Sequence, residues 1–202
     1  MKVSFNELKS MSKGAARGSG LSWGQAEEVS FATVWLLKNG FDVSNDLISL
    51  LESDIIYPPD NIDEDIWQNK GGDLDPIKSG VALLDLDTNK TIVLRNVFLP
   101  HFLIPFVAQL SQSMLIEANN FSVVLIDGRV KTNIKDWPSR SNEVKLSAAS
   151  DKLELKYSQV PNRCKVADDV WNRLEELTYL TYAPATEESR VLGAGAGLSD
   201  ND

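Results

Sequence analysis

Two basic residues around a run of small residues near the start of the chain form a pattern typical of anion binding. From Lys13 the sequence reads Lys-Gly-Ala-Ala-Arg-Gly-Ser-Gly-Leu-Ser-Trp-Gly, and we name residues 14–24 the small-residue turn. A helix that begins after Ser22 presents free backbone N–H groups, which attract anions, and Arg17 adds a bidentate donor. The sequence therefore predicts a site for a carboxylate or phosphate, roofed by Trp23.

The same residues also have a structural interpretation, which stays open. Gly and Ala allow two helices to pack closely, and the Ser22 hydroxyl can cap the helix and occupy its free N–H groups. Glu27 and Glu28 follow on the same helix, where their charges would weaken an anion site. Glu27 remains a candidate ligand-binding carboxylate, although adjacent helical residues point about 100° apart and cannot easily share one ligand.

The C-terminal segment, residues 183–202, alternates Gly and Ala from Gly193 to Gly197 and then reads Leu-Ser-Asp-Asn-Asp. Ordered Gly loses much conformational freedom, so a Gly-rich run favours a place where the backbone closely approaches a neighbour. We therefore predict that this segment docks on the domain across the small-residue turn, with Arg190 as a second anion anchor. Asp200 and Asp202 complete the candidate site near Arg17, although a disordered chain end is the alternative. Their spacing matches no calcium motif, so no metal site is predicted.

Few residues could serve as a nucleophile or a general base. His101 is the only histidine, and it suits either a general base or a structural position at a strand-to-helix junction. Cys164 becomes a nucleophile if the neighbouring Arg163 and Lys165 lower its pKa. No pattern brings His101 and Cys164 together, so the catalytic residues stay unknown, and whether the protein is an enzyme stays open. The sequence contains no nucleotide-binding glycine motif and indicates no cofactor.

The composition is that of an acidic globular protein of 202 residues, with 43% hydrophobic and 24% charged residues. Its formal net charge of −9 argues against nucleic-acid binding, which needs a positive surface. No apolar run is long enough to span a membrane, and the N-terminus lacks the pattern of a signal peptide. One cysteine cannot form an internal disulfide. We therefore expect a soluble, cytoplasmic protein.

Two capping boxes predict a helical hairpin at the N-terminus. Ser4 and Ser22 are each followed three residues later by Glu or Gln, which is the signature of a helix start. The second of these helices is apolar nearly all round in its second half and ends before Gly40, so we expect it to be buried. A third, shorter helix is predicted to begin at a Ser44 cap.

Residues 57–80 are predicted to form a long acidic loop. Pro, Gly and acidic residues dominate this stretch, and Ile66 and Trp67 are its candidate hydrophobic anchors. Because a loop of this length inside a compact domain is usually functional or mobile, it could close over a site as a lid.

The rest of the chain predicts three hairpins, a central helix and a C-terminal helix. The hairpins are 81–87 with 91–97, 122–126 with 130–134, and 143–148 with 153–157, and the helices are 104–118 and 167–177. Because helices do not separate the strands one by one, we expect an antiparallel sheet with helices packed on it. The predicted architecture is a single α+β domain over residues 1–202.

Both ends of the chain carry specific strings of residues. These are Ser4-x-Asn6-Glu7-Leu8, Ala15-Ala16-Arg17-Gly18-x-Gly20-Leu21-x-Trp23-Gly24-x-Ala26-Glu27-Glu28, Pro184-Ala185-Thr186-Glu187-x-Ser189-Arg190 and Gly193-Ala194-Gly195-Ala196-Gly197-Leu198. Together they resemble a bacterial family of about this length that is known as a domain of unknown function. The resemblance implies that the whole chain is one family domain, and it implies no activity or cofactor.

Two functions follow from these patterns. The first is a small-molecule-binding protein or enzyme that takes an anionic metabolite between the small-residue turn and the C-terminal segment. The alternative is a non-catalytic interaction or accessory subunit, in a homo-oligomer or with a partner subunit, that uses the C-terminal segment and the acidic loop. Neither function requires a cofactor, a nucleic acid or a membrane.

Overall fold

Capping side chains set the start of the two N-terminal helices. Helix α1 spans Phe5–Gly18 and helix α2 spans Trp23–Lys38. The Ser4 and Ser22 hydroxyls each accept a hydrogen bond from the backbone N–H three residues later, and the side-chain oxygen of the Glu or Gln there accepts one from the backbone N–H of the serine. The predicted helical hairpin is confirmed.

This computed structural model describes residues 1–54, 56–85, 90–119, 121–126, 129–132, 134, 136–149 and 163–181.

The other elements are shorter. The helices are α3 (Ser44–Leu51), α4 (Pro76–Leu84), α5 (Ile104–Val107), which follows a 3₁₀ turn at Pro100–Leu103, and α6 (Asp168–Tyr179). The strands are β1 (Lys2–Val3), β2 (Ile56–Tyr57), β3 (Ile66–Trp67), β4 (Asp73–Leu74), β5 (Ile92–Phe98), β6 (Met114–Ala118), β7 (Phe121–Ile126), β8 (Arg129–Thr132), β9 (Arg140–Ala148) and β10 (Cys164–Lys165). Within these described residues, no helix has both the length and the apolar character needed to cross a bilayer.

Strand β9 lies in the middle of the larger sheet. In the described part of the chain, the strand order is β2-β4-β5-β9-β6-β7-β8, and β3 also pairs with β5. β9 is antiparallel to both of its neighbours, β5 and β6. The sheet is nevertheless mixed, because β2, β3 and β4 join it through parallel pairings. The α+β class is confirmed, and the sheet is mixed where an antiparallel one was expected.

Helix α2 forms part of the core, as its apolar pattern predicts. Its small and apolar side chains are buried in several directions, and the helix contacts α1, α4 and α5. The half-buried ring of Phe31 lies edge-on to Phe106 of α5, with ring centroids 5.9 Å apart. An aromatic pair of this geometry stabilises packing beyond the area it buries.

Helix α3 is confirmed, but its cap is not the predicted one. Ser44 is the first residue of the helix, and its side chain makes no capping hydrogen bond. The backbone N–H of Ser44 instead donates to Asp42 Oδ1, at 3.2 Å. Asp42 therefore provides the turn-forming carboxylate two residues before the position that the sequence pattern indicated.

Helix α4, Pro76–Leu84, lies where the sequence predicted the end of the 57–80 loop and the first strand of the first hairpin, so both predictions are wrong there. Residues 81–84 are helical rather than extended, because Asp75 caps the helix by accepting hydrogen bonds from Ile77 N and Lys78 N. Pro76 then occupies the first helical position, where its missing N–H is tolerated. An apolar run of four residues fits a buried helix as well as a strand, so its pattern alone cannot separate the two.

The predicted helix at 104–118 is also wrong over most of its length. Helix α5 ends at Val107, and Met114–Ala118 forms β6, between β7 and β9. Met114 and Ile116 are buried and alternate with more exposed residues, which is the period of a strand. The apolar residues keep a helical spacing from α5 into β6, although the helix ends at Val107. Only the pairing of β6 with its neighbours in the sheet shows that Met114–Ala118 is a strand.

The remaining sequence predictions have mixed outcomes. The second hairpin is confirmed as β7 with β8, and the C-terminal helix is confirmed as α6. The first strand of the third hairpin is confirmed as β9. Its predicted partner, 153–157, lies outside the described residues.

Candidate functional site

The small-residue turn brings Arg17 and Trp23 into direct contact. The Arg17 guanidinium carbon lies 4.7 Å from the centroid of the Trp23 ring, and Arg17 Nη1 donates a hydrogen bond to Leu21 O. Arg17 Nε is buried and has no hydrogen-bond partner among the described residues. Trp23 itself is 65% exposed, so it forms an open aromatic surface rather than the roof of a closed pocket.

Lys13 and Glu27 complete this cluster. Lys13 Nζ lies 2.5 Å from Glu27 Oε1 and 5.4 Å from the Trp23 ring centroid. The hydrogen bond from Lys13 lowers the pKa of the Glu27 carboxyl. Ser22 is adjacent, where its hydroxyl caps α2. The structure therefore brings together Arg17, Ser22, Trp23 and Glu27, the four predicted site residues that it describes.

The glycines of this region have two different roles. A Cβ on Gly14 would lie 2.6 Å from Thr178 Cγ2, and a Cβ on Gly18 would lie 1.7 Å from Leu177 O. These two glycines therefore allow α6 to pack closely on α1, as the structural interpretation holds. Gly20 has a φ of 95°, which favours glycine, and both Gly20 and Gly24 face open space.

The C-terminal half of the predicted site cannot be placed. Arg190, Asp200 and Asp202 lie outside the described residues, as does the whole segment 183–202. Helix α6 ends at Tyr179, and Leu177 and Thr178 on its last turn contact the glycines of α1. The docking of the C-terminal segment on the small-residue turn stays a prediction.

A second place in the molecule has the shape of a ligand site. A cavity of about 470 Å³ is lined by Gly40, Phe41, Asp42, Asp46, Ile134, Asp136 and Trp137, and we name it the aspartate pocket. Sequence reasoning missed this pocket because its residues come from two parts of the chain that are far apart in the sequence. The only signal pointing toward it was His101, which lies behind Asp46.

His101 is fully buried beside the aspartate pocket. Its Nε2 lies 3.1 Å from Asp46 Oδ2, but the two groups are not aligned for a hydrogen bond, and neither ring nitrogen has a partner in the described structure. The imidazole packs between Phe102 and Trp137, with ring centroids 4.9 and 5.4 Å away. Burial lowers the pKa of His101, and the nearby Asp46 carboxylate only partly opposes this effect. His101 is therefore neutral at neutral pH.

Acidification below pH 6.5 should destabilise the protein through His101. The ordinary histidine pKa is 6.5, and that of folded His101 is lower, so between the two values the unfolded chain binds more protons than the folded one. The free energy of unfolding should therefore fall as the pH decreases through this window, whereas the contribution of His101 is fully present above it. Urea denaturation between pH 7.5 and 5.5 measures the effect.

The matched control for this experiment is His101→Gln, which removes the only histidine of the chain. The difference between the two proteins isolates the imidazole together with its effect on the adjacent Asp46, because the other carboxyl groups contribute equally to both. One such group, Glu28, acts in the opposite direction, since burial raises its pKa and acid then stabilises the fold. An identical pH dependence in the wild type and the variant would contradict the assignment.

Cys164 does not have the environment of a nucleophile. It is buried, and burial together with the charge of Asp42 raises the pKa of its thiol. Lys38 opposes this effect but does not reverse it. The condition under which Cys164 would be a nucleophile, a lowered pKa, is therefore not met. No group of three His, Cys, Asp or Glu side chains is arranged to hold a metal ion within the described ranges.

The comparisons with known proteins concern the N-terminal half of the chain. Residues 3–97 match the model of a protein family described as "Protein of unknown function (DUF3726)". The matched range includes the small-residue turn and Asp46 and ends before His101, Trp137 and the C-terminal segment. No curated protein and no solved structure matches the chain. Over slightly less than half of its length, the chain is thus similar to an uncharacterised domain family.

Proposed function

We propose that this protein binds a small anionic molecule at the small-residue turn, between that turn and the C-terminal segment 183–202. The observation that carries the proposal is the exposed Trp23 ring, which has the cationic groups of both Lys13 and Arg17 over it. A ligand that joins a flat or apolar group to a carboxylate or phosphate fits such a surface. The flat group packs on the indole, and the anion meets the cations.

Both cations keep donors for a ligand. A lysine ammonium has three N–H groups and an arginine guanidinium has five. The described contacts use one N–H of Lys13, toward Glu27, and one nitrogen of Arg17, toward Leu21 O. Arg17 Nε is buried and has no acceptor among the described residues, so the donors that an anion can reach are the terminal N–H groups of the two side chains.

The local charge also favours an anion, although the whole chain is acidic. Lys9, Lys13 and Arg17 occupy successive turns of α1, and Lys9 is close enough to act electrostatically on Glu27. Glu27 and Glu28 are the acidic residues that oppose them on α2. These three cations and two carboxylates sum to a charge of +1, whereas the formal net charge of the whole chain is −9.

Loss of Arg17 should weaken this binding strongly. Arg17→Ala removes the bidentate donor, and we expect the affinity for the anion to fall about tenfold or more, as for a lost charge-assisted hydrogen bond. The measurement is a thermal-shift screen of carboxylic and phosphorylated metabolites, followed by calorimetric titration of the compounds that raise the melting temperature. Trp23→Ala should weaken binding of the same compounds.

Arg95→Ala is the matched control, because Arg95 is an exposed arginine on β5 that pairs with Glu143. It should leave the affinity unchanged. Arg190→Ala and deletion of residues 193–202 test the C-terminal half of the site, and each should lower the affinity if that segment contributes. Equal affinities in the wild type and in Arg17→Ala would refute the proposal.

The exposure of Trp23 also supports a second function, that of a non-catalytic interaction subunit. Exposed tryptophan and arginine side chains often dominate the binding energy of protein interfaces. We name residues 57–74, the part of the predicted acidic loop that precedes α4, the acidic segment. Two of its residues, Ile62 and Ile66, are also more than two-fifths exposed. Sedimentation velocity distinguishes the two functions: a self-association that Trp23→Ala disrupts supports the interaction subunit, and a monomer at all concentrations argues against a homo-oligomer.

A further inference from the structure

We propose that the aspartate pocket is a binding site for a small organic molecule that carries a primary ammonium group. This pocket shares no lining residue with the small-residue turn, and the charge of its described lining is opposite. The inference is therefore independent of the anion site. It follows from three features of the pocket: its carboxylates, the buried histidine behind one of them, and its aromatic wall.

Three carboxylates line the pocket, from Asp42, Asp46 and Asp136. None of the lining residues that the structure describes is basic, and Lys135 lies outside the described residues. One Asp42 oxygen already accepts a hydrogen bond from Ser44 N. Asp46 Oδ2 faces His101 Nε2, and the other carboxylate oxygens of the pocket offer acceptors to a cationic N–H donor. Like charges around one cavity repel, and a bound cation relieves that repulsion.

His101, which lies behind Asp46, distinguishes the aspartate pocket from a simple cluster of acidic side chains. His101 is completely buried, its Nε2 lies 3.1 Å from Asp46 Oδ2, and its Nδ1 has no hydrogen-bond partner in the described structure. Buried polar groups without partners are rare, and this one lies directly behind a carboxylate of the pocket. The imidazole faces Asp46, which lines the pocket and is about one-third exposed. A neutral His101 leaves the Asp46 charge for a ligand.

The aromatic wall selects an organic cation. Phe41 and Trp137 both line the pocket, with ring centroids 5.3 Å apart in an edge-to-face arrangement. Phe121 and His101 hold the Trp137 ring from other directions, at 5.4 Å each. Aromatic faces attract cations and pack against the alkyl carbons that accompany an ammonium group. The volume of about 470 Å³ lies in the range of small-molecule sites.

In this assignment Asp46 is the residue that binds the ammonium group. His101 is a positioning residue, because it contacts the Asp46 carboxylate and does not reach the surface. The ligand alkyl chain lies against Trp137 and Phe41. Asp42 and Asp136, which are more exposed than Asp46, contribute longer-range attraction.

Titration with n-butylammonium at neutral pH tests the assignment. Calorimetry measures the affinity, and NMR of the indole N–H signals locates the site, with the Trp137 signal assigned from Trp137→Phe. We expect butylammonium to shift the Trp137 signal, and Asp46→Asn to weaken binding about tenfold or more. His101→Gln, which keeps a polar group beside Asp46, should retain more affinity than His101→Phe.

Asp63→Asn is the matched control, since it removes one exposed negative charge from the acidic segment. It should leave the butylammonium affinity unchanged, so a loss in Asp46→Asn cannot reflect net charge alone. Neutral 1-butanol should bind much more weakly than butylammonium. The assignment is overturned if Asp46→Asn binds as well as the wild type, if 1-butanol binds equally, or if only Mg²⁺ shifts the Trp137 signal.

Discussion

Replacing Gly18 by Ala should destabilise the folded protein by about 3 kcal/mol, at the upper end of the range for overpacked cores. The added Cβ would lie 1.7 Å from Leu177 O, and a backbone carbonyl in a helix cannot turn away as a flexible side chain can. In a helix with open space the same substitution usually stabilises by about 0.5–1 kcal/mol. The sign of the change therefore tests the close approach of α1 and α6. Urea denaturation measures it.

Gly24→Ala is the matched control, because a Cβ at Gly24 meets no atom within 4 Å. We expect its free energy of unfolding to be unchanged or slightly higher than that of the wild type, since Ala favours the helix. If Gly18→Ala is as stable as Gly24→Ala, then α6 does not pack on α1 at this distance. The last turn of α6, from which the C-terminal segment continues, would then not lie beside the small-residue turn.

The helical hairpin could be predicted because its signals are local. Ser4 and Ser22 make their capping hydrogen bonds within three residues, so the sequence pattern contains both partners. The contact between Arg17 and Trp23 follows from the same locality, since a turn of four residues connects the two helices. The predicted residues of the small-residue turn therefore came together.

The sheet was harder to predict because long-range pairing decides it. Strands β2, β3 and β4 have two residues each, which is too short for an alternating pattern. Their parallel partners lie as many as 27 positions further along the chain, as for Ile66 and Val93. Residues 81–84 and 114–118 carry apolar patterns that fit either element, and only tertiary contacts select the observed one.

The aspartate pocket was hidden for a related reason. Asp42 and Asp46 lie just before and within the first turn of α3, and Asp136 and Trp137 lie at least ninety positions later. His101 reaches this place through the 3₁₀ turn, which follows Leu99 in a left-handed conformation with φ of 42°. No residue spacing in the sequence indicates that these three segments meet.

Replacing Trp67 by Ala should cost about 3–5 kcal/mol, as for other fully buried large aromatic residues. Trp67 is completely buried in β3, where its indole Nε1 donates a hydrogen bond to Glu64 O at 2.9 Å. β3 pairs with Leu94 and Val93 of β5, so this side chain fastens the acidic segment to the sheet. The sequence predicted Ile66 and Trp67 as anchors, and the structure assigns that role to Trp67. Chemical denaturation measures the loss.

Ile66→Ala is the natural control, because Ile66 is the neighbouring strand residue and is 45% exposed. Its substitution should cost less than about 1 kcal/mol, since little apolar surface is lost from the core. Limited proteolysis adds a local measurement: cleavage within residues 57–74 should accelerate in Trp67→Ala and not in Ile66→Ala. Equal losses of stability in the two variants would mean that the segment is held by its polar contacts, such as the hydrogen bonds of Asn61 and Asn69, rather than by the indole.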